Sequence, residues 1–417
     1  MAERYLSSSG SDSNTGSLAS PWRTLAGAHA RMAAGDTLRA AAGEYYGGYL
    51  AGSKPIHLRV AEGAEVRIAR RDKTTALSLD TWTGGSIDGA GGRLVVGPVA
   101  TPSTSDSATQ SAALQLPGSS GVRVANLVAE SAADVGILLT RNAAGVAATG
   151  LLLEDVEATG NGEGIRVNGG SGHVIRRART HHNQRMVVSA KANSFGAVGL
   201  VLDRCDGVLV ERLVSHDNVA PNPEQYGLDG GAAEIYGATN CTIDGLEAWG
   251  NEGVLETGGP KDGSATPQGN VLRNFRVTGP IHQGTFDSPA FLLRASRGMV
   301  LEDGFIDVVG PGDVFRWAAD SWGGDWSGSA LRRIVVRAPD AIVFQSYGAQ
   351  LAGVSIEDVI VLPEGLRNLV TLAESRAGAA AAAAGAAEDA AAAANVSASA
   401  AARAIESLAR VVRLVAG

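Results

Sequence analysis

AEIYGATNCTIDGLEAWGNEGVLETGG, residues Ala233–Gly259, contains the unit from which the fold follows. A short apolar-alternating run, AEIY, passes through the turn residues GATN into CTIDGLEAW. A second turn, GNEG, then leads into VLET. Alternation with period 2 is the mark of a strand, and Asn, Asp and Gly mark the turns between strands. The two flanking strands each carry one acid, Glu234 and Glu256, among otherwise apolar or small residues.

The kernel recurs. VRVANLVAE at Val122, LLLEDVEAT at Leu151, HVIRRARTH at His173, VLVERLVSH at Val208, CTIDGLEAW at Cys241, VLRNFRVTG at Val271, MVLEDGFID at Met299, LRRIVVRAP at Leu331 and VSIEDVIVL at Val354 are variants of one strand. Their spacing runs from roughly 22 to 35 residues, with the excess in loops such as NVAPNPEQYGLDGG. No helical pattern of 10–15 residues separates them, which argues against βαβ architecture. A β-sandwich or propeller would call for more regular units. Irregular unit length with a persistent strand–turn–strand kernel favours a parallel β-helix, in which each coil stacks on the last.

Composition agrees. The 417 residues include 55 glycines, only 5% are aromatic, and 19% are charged against the roughly 25% usual in soluble domains. The 45% hydrophobic content suffices for a continuous core, and the net charge of −8 argues against a general nucleic-acid or anionic-membrane binder. Two cysteines, Cys205 and Cys241, support neither a disulfide framework nor a cysteine metal site. No apolar run approaches the length of a membrane span, and no signal peptide is visible at the N-terminus.

At the N-terminus, SPWRTLAGAHARMAAGD reads as a helix with Ser20 as N-cap and Pro21 in its first turn, covering the open end of the solenoid. At the C-terminus, the Ala-rich stretch 366–417 ends with Ile405, Leu408, Val412 and Val415 at heptad positions, and is expected to form a helical tail that associates with copies of itself, the alternatives being a tail docked on the solenoid or a flexible low-complexity segment. The division is therefore 1–50 (strand, capping helix and entry to the first coil), 51–365 (β-helix) and 366–417 (tail).

The series Tyr5, SGSDSNTG, SPWRTL, GDTL and GEYYGG resembles the entry segment of right-handed parallel β-helix proteins, and the resemblance extends over most of residues 4–365. That group includes polysaccharide lyases, glycoside hydrolases and phage tailspikes. It implies an all-β right-handed solenoid and a polysaccharide partner. No polygalacturonase or pectate-lyase active-site motif is present, so no catalytic residue transfers from those families. The β-helix, the Ala-rich tail and the missing signal peptide together resemble a tailspike or tail-fibre depolymerase. That resemblance implies a homo-oligomer, with a trimer favoured, acting outside the cell or on a virion.

In such a fold, outward positions on one sheet stack into a ladder. The second strands GIRVNG (164–169), RMVVSAK (185–191), AAEIYG (232–237), GVLETG (253–258), AFLLRAS (290–296) and DVFRWAAD (313–320) place Ile165, Val167, Ala233, Ile235 and Leu293 inward. Arg166, Lys191, Glu234, Tyr236, Glu256, Arg294, Arg316 and Asp320 then face out. Glu234, Glu256 and Asp229 are the candidate catalytic acids. Arg166, Lys191, Tyr236, Arg294, Arg316 and Trp317 are candidate substrate-binding residues, with the aromatics near the strip offering faces for sugar rings. Solvated or paired charges on a sheet face are the plain alternative.

Two carboxylates permit acid–base glycoside cleavage, and register sets the stereochemistry. Glutamates in one slot on adjacent coils give the roughly 5 Å separation of retaining enzymes, whereas an offset of two residues gives about 8 Å, in the inverting range. A lyase would use Lys191 as base with Arg166 or Arg294 neutralising a uronate, and Ca²⁺ would be its expected ion; no other cofactor is expected. A non-catalytic receptor-binding fibre is a third possibility. His181 and His182 in RTHHNQR have no third metal ligand in view, and read as structural or merely exposed.

Overall fold

The computed structural model describes residues 2–362 apart from 53, 101–110, 189–193, 221–229, 260–265, 281–288, 311, 319–324, 348–350 and 352. The chain winds as a right-handed parallel β-helix. Eleven strands, from Gly48–Ala51 to Ile342–Tyr347, stack as one parallel sheet, here called the groove sheet. A further 17 strands form a second hydrogen-bonded set.

That second set is bent. Leu152–Thr159, for example, is one strand by its hydrogen bonds, but Asp155 in its middle has φ 52°. The same position is left-handed at Asn126 (52°), Arg177 (50°), Arg212 (57°), Gly245 (85°), Asn274 (55°), Asp303 (56°), Arg333 (51°) and Asp358 (52°). A single left-handed residue per coil turns the strand through a corner, so each coil has three faces rather than two. Left-handed backbone costs a non-glycine residue about 1–2 kcal/mol, and several corner residues offset it by bonding an acid at or beside the corner one coil back. Arg177 donates to both carboxylate oxygens of Asp155 (2.7 Å each), Asn274 to Asp244 (2.7 Å), and Arg333 to Asp303 (2.6 and 2.8 Å). The corner is visible in sequence as a break in alternation: core residues fall three apart, at Val124/Leu127, Leu153/Val156, Val210/Leu213, Ile243/Leu246 and Leu331/Ile334.

A second corner joins these faces to the groove sheet through a column of buried asparagines, Asn161, Asn183, Asn218 and Asn251. The side-chain oxygens of Asn183, Asn218 and Asn251 each accept from the backbone N–H and side-chain amide of the asparagine one coil back, and that of Asn161 accepts from Ala132 N–H. The amide-to-oxygen distances are 3.1 Å for Asn161 to Asn183, 2.9 Å for Asn183 to Asn218 and 2.9 Å for Asn218 to Asn251. A buried amide satisfied on both sides stabilises, and its loss leaves orphaned backbone groups.

At the third corner, a left-handed glycine or asparagine precedes an inward residue: Val122, Leu151, His173, Val208, Cys241 and Met299. Cys205 and Cys241 are buried free thiols 3.9 Å apart. Core aromatics stack along the axis, with Phe291–Phe315 at 5.0 Å and Phe315–Phe344 at 5.6 Å between ring centroids.

Two sequence expectations need correction, and a third concerns the C-terminal tail. The helix spans Leu25–Arg31 and is capped by Thr24, whose hydroxyl accepts from Gly27 N–H at 2.9 Å. Ser20 and Pro21 lie before it because Trp22 pairs in extended form with Leu6, and its N–H and C=O bond Tyr5 and Ser7. Segment 185–191 does not supply a groove strand. Met186–Val188 pairs antiparallel with Ser194–Gly196 as a hairpin, and the groove strand of that coil is Val198–Asp203. The Ala-rich segment 366–417 lies outside the described residues.

Two measurements test this account of the core. His173 is fully buried, accepts from Leu151 N–H, and has its pKa pushed down to about 4 by burial. The unfolded chain then binds more protons between about pH 6.5 and 4, so stability falls as pH falls through that window, by about 3 kcal/mol. His173→Val should flatten this part of a pH series of urea denaturation curves. Gly304 sits where a Cβ would lie 2.1 Å from Phe275 Cζ. Gly304→Ala should destabilise by about 1–3 kcal/mol in the same assay, with partial recovery in the Gly304→Ala/Phe275→Leu double variant.

Candidate functional site

The groove sheet carries one outward column that can be followed coil by coil: Tyr49, Ser78, Gln115, Leu138, Arg166, Val201, Glu234, Glu256, Leu292, Arg316 and Gln345. Glu234 and Glu256 are in register, each the other's partner across adjacent coils. With parallel strands about 4.8 Å apart, the two side chains leave the sheet at roughly the same spacing. Among the described in-register pairs of this sheet they are the one pair of like charges.

The asparagine column secures this register. Asn251 lies one turn before the strand Gly253–Gly258, and Asn218 occupies the same place in the preceding coil. A long insertion then separates Asn218 from the strand Gly231–Tyr236, yet its two ends return to one point. Glu252 N–H lies 3.2 Å from Asn218 C=O and 2.8 Å from Gly230 C=O. The hairpin insertion is pinned similarly, with Arg185 N–H on Asn161 C=O and Ala197 N–H on Arg185 C=O. Insertions therefore leave the coil without shifting the strands that follow.

Around the glutamates lies a network of half-buried ion pairs. Arg166 donates to Glu163 (2.6 Å) and to Asp203 (2.6 Å), both with side chains only 2% exposed. Arg204 also bonds Asp203, at 2.8 and 3.1 Å. Further along, Arg294 pairs with Glu256 and Arg316 with Asp313. Burial raises the pKa of Glu163 despite its arginine. Burial opposes the charge on Arg166, but Glu163, Asp203 and Glu234 outweigh it and hold the guanidinium firmly charged. Tyr236 stands two residues beyond Glu234, and its ring lies over Gly258, where a Cβ would come within 3.6 Å.

The structure thus brings Arg166, Glu234, Glu256 and Arg316 into one column, with Tyr236 and Arg294 beside it. It removes Trp317, which is 1% exposed and packs in the core with Phe315 and Phe344. Strand parity is the reason: Arg316 points out, so Trp317 must point in. Phe291, Phe315 and Trp326 are core residues too, so aromatic content near the strip is mostly packing. Asp229, Lys191 and Asp320 lie outside the described residues.

Sequence reasoning missed Glu163, Asp203 and Asp313, the acids that hold the arginines. Aligning GIRVN with GLVLD would have exposed Asp203, and the spacing of three from Glu163 to Arg166 recurs from Asp313 to Arg316.

No protein-family model matches the sequence, and no curated protein matches it. Among solved structures, the chain is similar to XylC in complex with xylose, at 10% identity and TM-score 0.52, covering 80% of this chain and 75% of that one. A rhamnogalacturonan lyase matches at 14% identity and TM-score 0.49, covering 86% and 87%. The Dettilon tailspike protein matches at 10% identity and TM-score 0.46, covering 80% and 63%.

Arg166→Gln would leave Glu163 and Asp203 buried without their shared cation, and should lower stability by about 3–5 kcal/mol at pH 7. Glu163 already has a raised pKa, so the folded state binds more protons than the unfolded one just above the ordinary carboxylate range. Stability of the variant should therefore recover as pH is lowered through that window, read from denaturant midpoints across a pH series. At this identity the likeness to known structures is one of fold: the chain shares the right-handed parallel β-helix with them.

Proposed function

We propose that the groove sheet binds a polysaccharide along its outward column and cleaves a glycosidic bond between the side chains of Glu234 and Glu256. The observation that carries this reading is their in-register pairing on adjacent coils. Stacking two carboxylates disfavours the state in which both are ionised, so one is kept protonated more readily. A spacing near 5 Å suits a retaining double displacement.

Arg294 bonds Glu256 and Arg166 attracts Glu234, and within this proposal the two glutamates divide the chemistry as follows. Glu256 is paired with Arg294, which favours its carboxylate form and suits it to attack the anomeric carbon. Glu234 is the acid: it gives its proton to the glycosidic oxygen as the C–O bond breaks, and the leaving sugar departs with a new hydroxyl. Glu234, now a carboxylate, takes a proton from water, whose oxygen displaces Glu256 from the anomeric carbon and restores both groups. Tyr236, beside the pair, provides an aromatic edge for a sugar ring.

The fold accords with the substrate class, since a similar structure was solved with xylose. Elimination is less well supported. Arg166 is already neutralised by Glu163 and Asp203, and Arg294 by Glu256, so neither is an unclaimed cation for a uronate. An extracellular or virion setting and a trimeric assembly accord with such a substrate.

The test is incubation with a panel of surface and cell-wall polysaccharides, followed by mass and anomeric analysis of the fragments. Expected are fragments each carrying one added water, with the configuration of the broken bond retained in the first product. Glu234→Gln and Glu256→Gln should each lower the rate by about 10²–10⁴-fold with glycan binding preserved. Fragments lacking the added water would establish elimination instead, and binding without fragments would establish a receptor-binding fibre.

A further inference from the structure

Away from the groove column, at the corner that carries the asparagines, the chain brings together the two histidines of the RTHHNQR segment and residues from the next coil. We propose that His182, His216 and Asp217 bind a divalent transition metal of the zinc class, bridging two consecutive coils.

The ligating atoms of these three residues lie within 4.8 Å of one another. They converge because of the stacking. His181 is in register with His216, so the next residues, His182 and Asp217, are stacked in turn. Both have left-handed backbone, φ 52° and 54°, and His182 N–H bonds His216 C=O at 3.3 Å. In the following coil the same corner position is Gly250, where a Cβ would lie 2.3 Å from Asp217 Oδ1. The glycine leaves the space that the carboxylate occupies.

Neighbouring groups hold the rings in place. The imidazole of His216 is sandwiched between His181, at 4.8 Å and 1° between planes, and Trp249, at 4.4 Å and 7°. Its Nδ1 is 2.7 Å from Asp217 Oδ2. His182 Nδ1 lies 2.8 Å from His181 Nδ1, and His181 Nε2 lies 3.3 Å from Glu157 Oε1. Glu157 thus fixes His181, against which both ligand imidazoles rest, rather than either ligand directly. His182 is exposed and the Asp217 side chain is 40% exposed, so a hydrated ion can reach the site.

Two imidazole nitrogens and one carboxylate suit Zn²⁺, Co²⁺, Ni²⁺ or Cu²⁺ and leave a fourth position for water. Ca²⁺ and Mg²⁺ favour all-oxygen shells, which this cluster does not provide. A metal here would tie together the two coils from which the hairpin and the long insertion depart.

The experiment uses the full chain without a purification tag, stripped with a chelator and dialysed against Zn²⁺. One Zn²⁺ per chain is expected, resistant to displacement by excess Ca²⁺, with affinity reduced at least tenfold in His182→Ala and in Asp217→Asn. His182 is exposed, so the metal-free His182→Ala chain should melt at the same temperature as the native one, separating ligand loss from misfolding. Because Trp249 stacks on His216, Cu²⁺ should quench tryptophan emission saturably at one equivalent, and Trp249→Phe should lose most of that signal while still binding Zn²⁺. Absence of stoichiometric Zn²⁺ uptake, unchanged affinity in both ligand variants, or displacement of Zn²⁺ by Ca²⁺ would each overturn the proposal.

Discussion

Parallel strands stacked in register at about 4.8 Å constrain every other feature of this molecule. Each side chain meets the equivalent side chain of the next coil, so whatever occupies a position is multiplied along the axis. Groups that complement themselves profit: asparagine both donates and accepts, and four of them build the corner that leads into the groove sheet. Charged groups mostly alternate in sign. On the face before the left-handed corner, Glu154, Arg176 and Glu211 alternate, as do Asp244, Arg273, Glu302, Arg332 and Glu357, although Glu211 stacks directly on Asp244 where the two runs meet. Like-charge stacks are few among the described residues, Arg39 on Arg59 and Glu211 on Asp244 in the bent set and Glu234 on Glu256 in the groove sheet, and each runs against what stacking favours.

The same constraint explains how insertions are tolerated. A coil that closes through its asparagine and its backbone bonds can release a hairpin or a long loop and resume at the same point, as Arg185/Ala197 and Asn218/Gly230 do. Loops can vary while the groove register stays fixed, which separates the parts of the chain that build a scaffold from those that decorate it.

Much of the scaffold could be read from the chain. Alternation in the repeated kernel gave strands, and Gly, Asn and Asp gave turns. Ile165, Val167, Ala233, Ile235 and Leu293 were assignable to the core from parity alone, and all five are buried. Two things misled. The three-residue spacing of apolar residues in LEDV or VERL marks a corner, but it reads as a strand irregularity until the left-handed residue is seen. RMVVSAK alternates like a groove strand yet pairs with its own continuation, because a hairpin satisfies the same pattern locally. Trp317 illustrates the parity limit, since its aromatic character suggested a sugar platform while its place after Arg316 required burial.

The sequence by itself determined the class of fold, a solenoid of short strands, because periodicity and turn chemistry are local properties written residue by residue. It also supplied both glutamates as candidates. What only the tertiary structure decided is which residues become neighbours across coils. Glu234 with Glu256, Arg166 with Asp203, and His182 with His216 and Asp217 are separated by 22, 37 and about 34 positions. Coil length varies with each insertion, so no fixed spacing encodes those contacts. The hydrogen-bond register of the stacked strands does, and it exists only once the coils are closed.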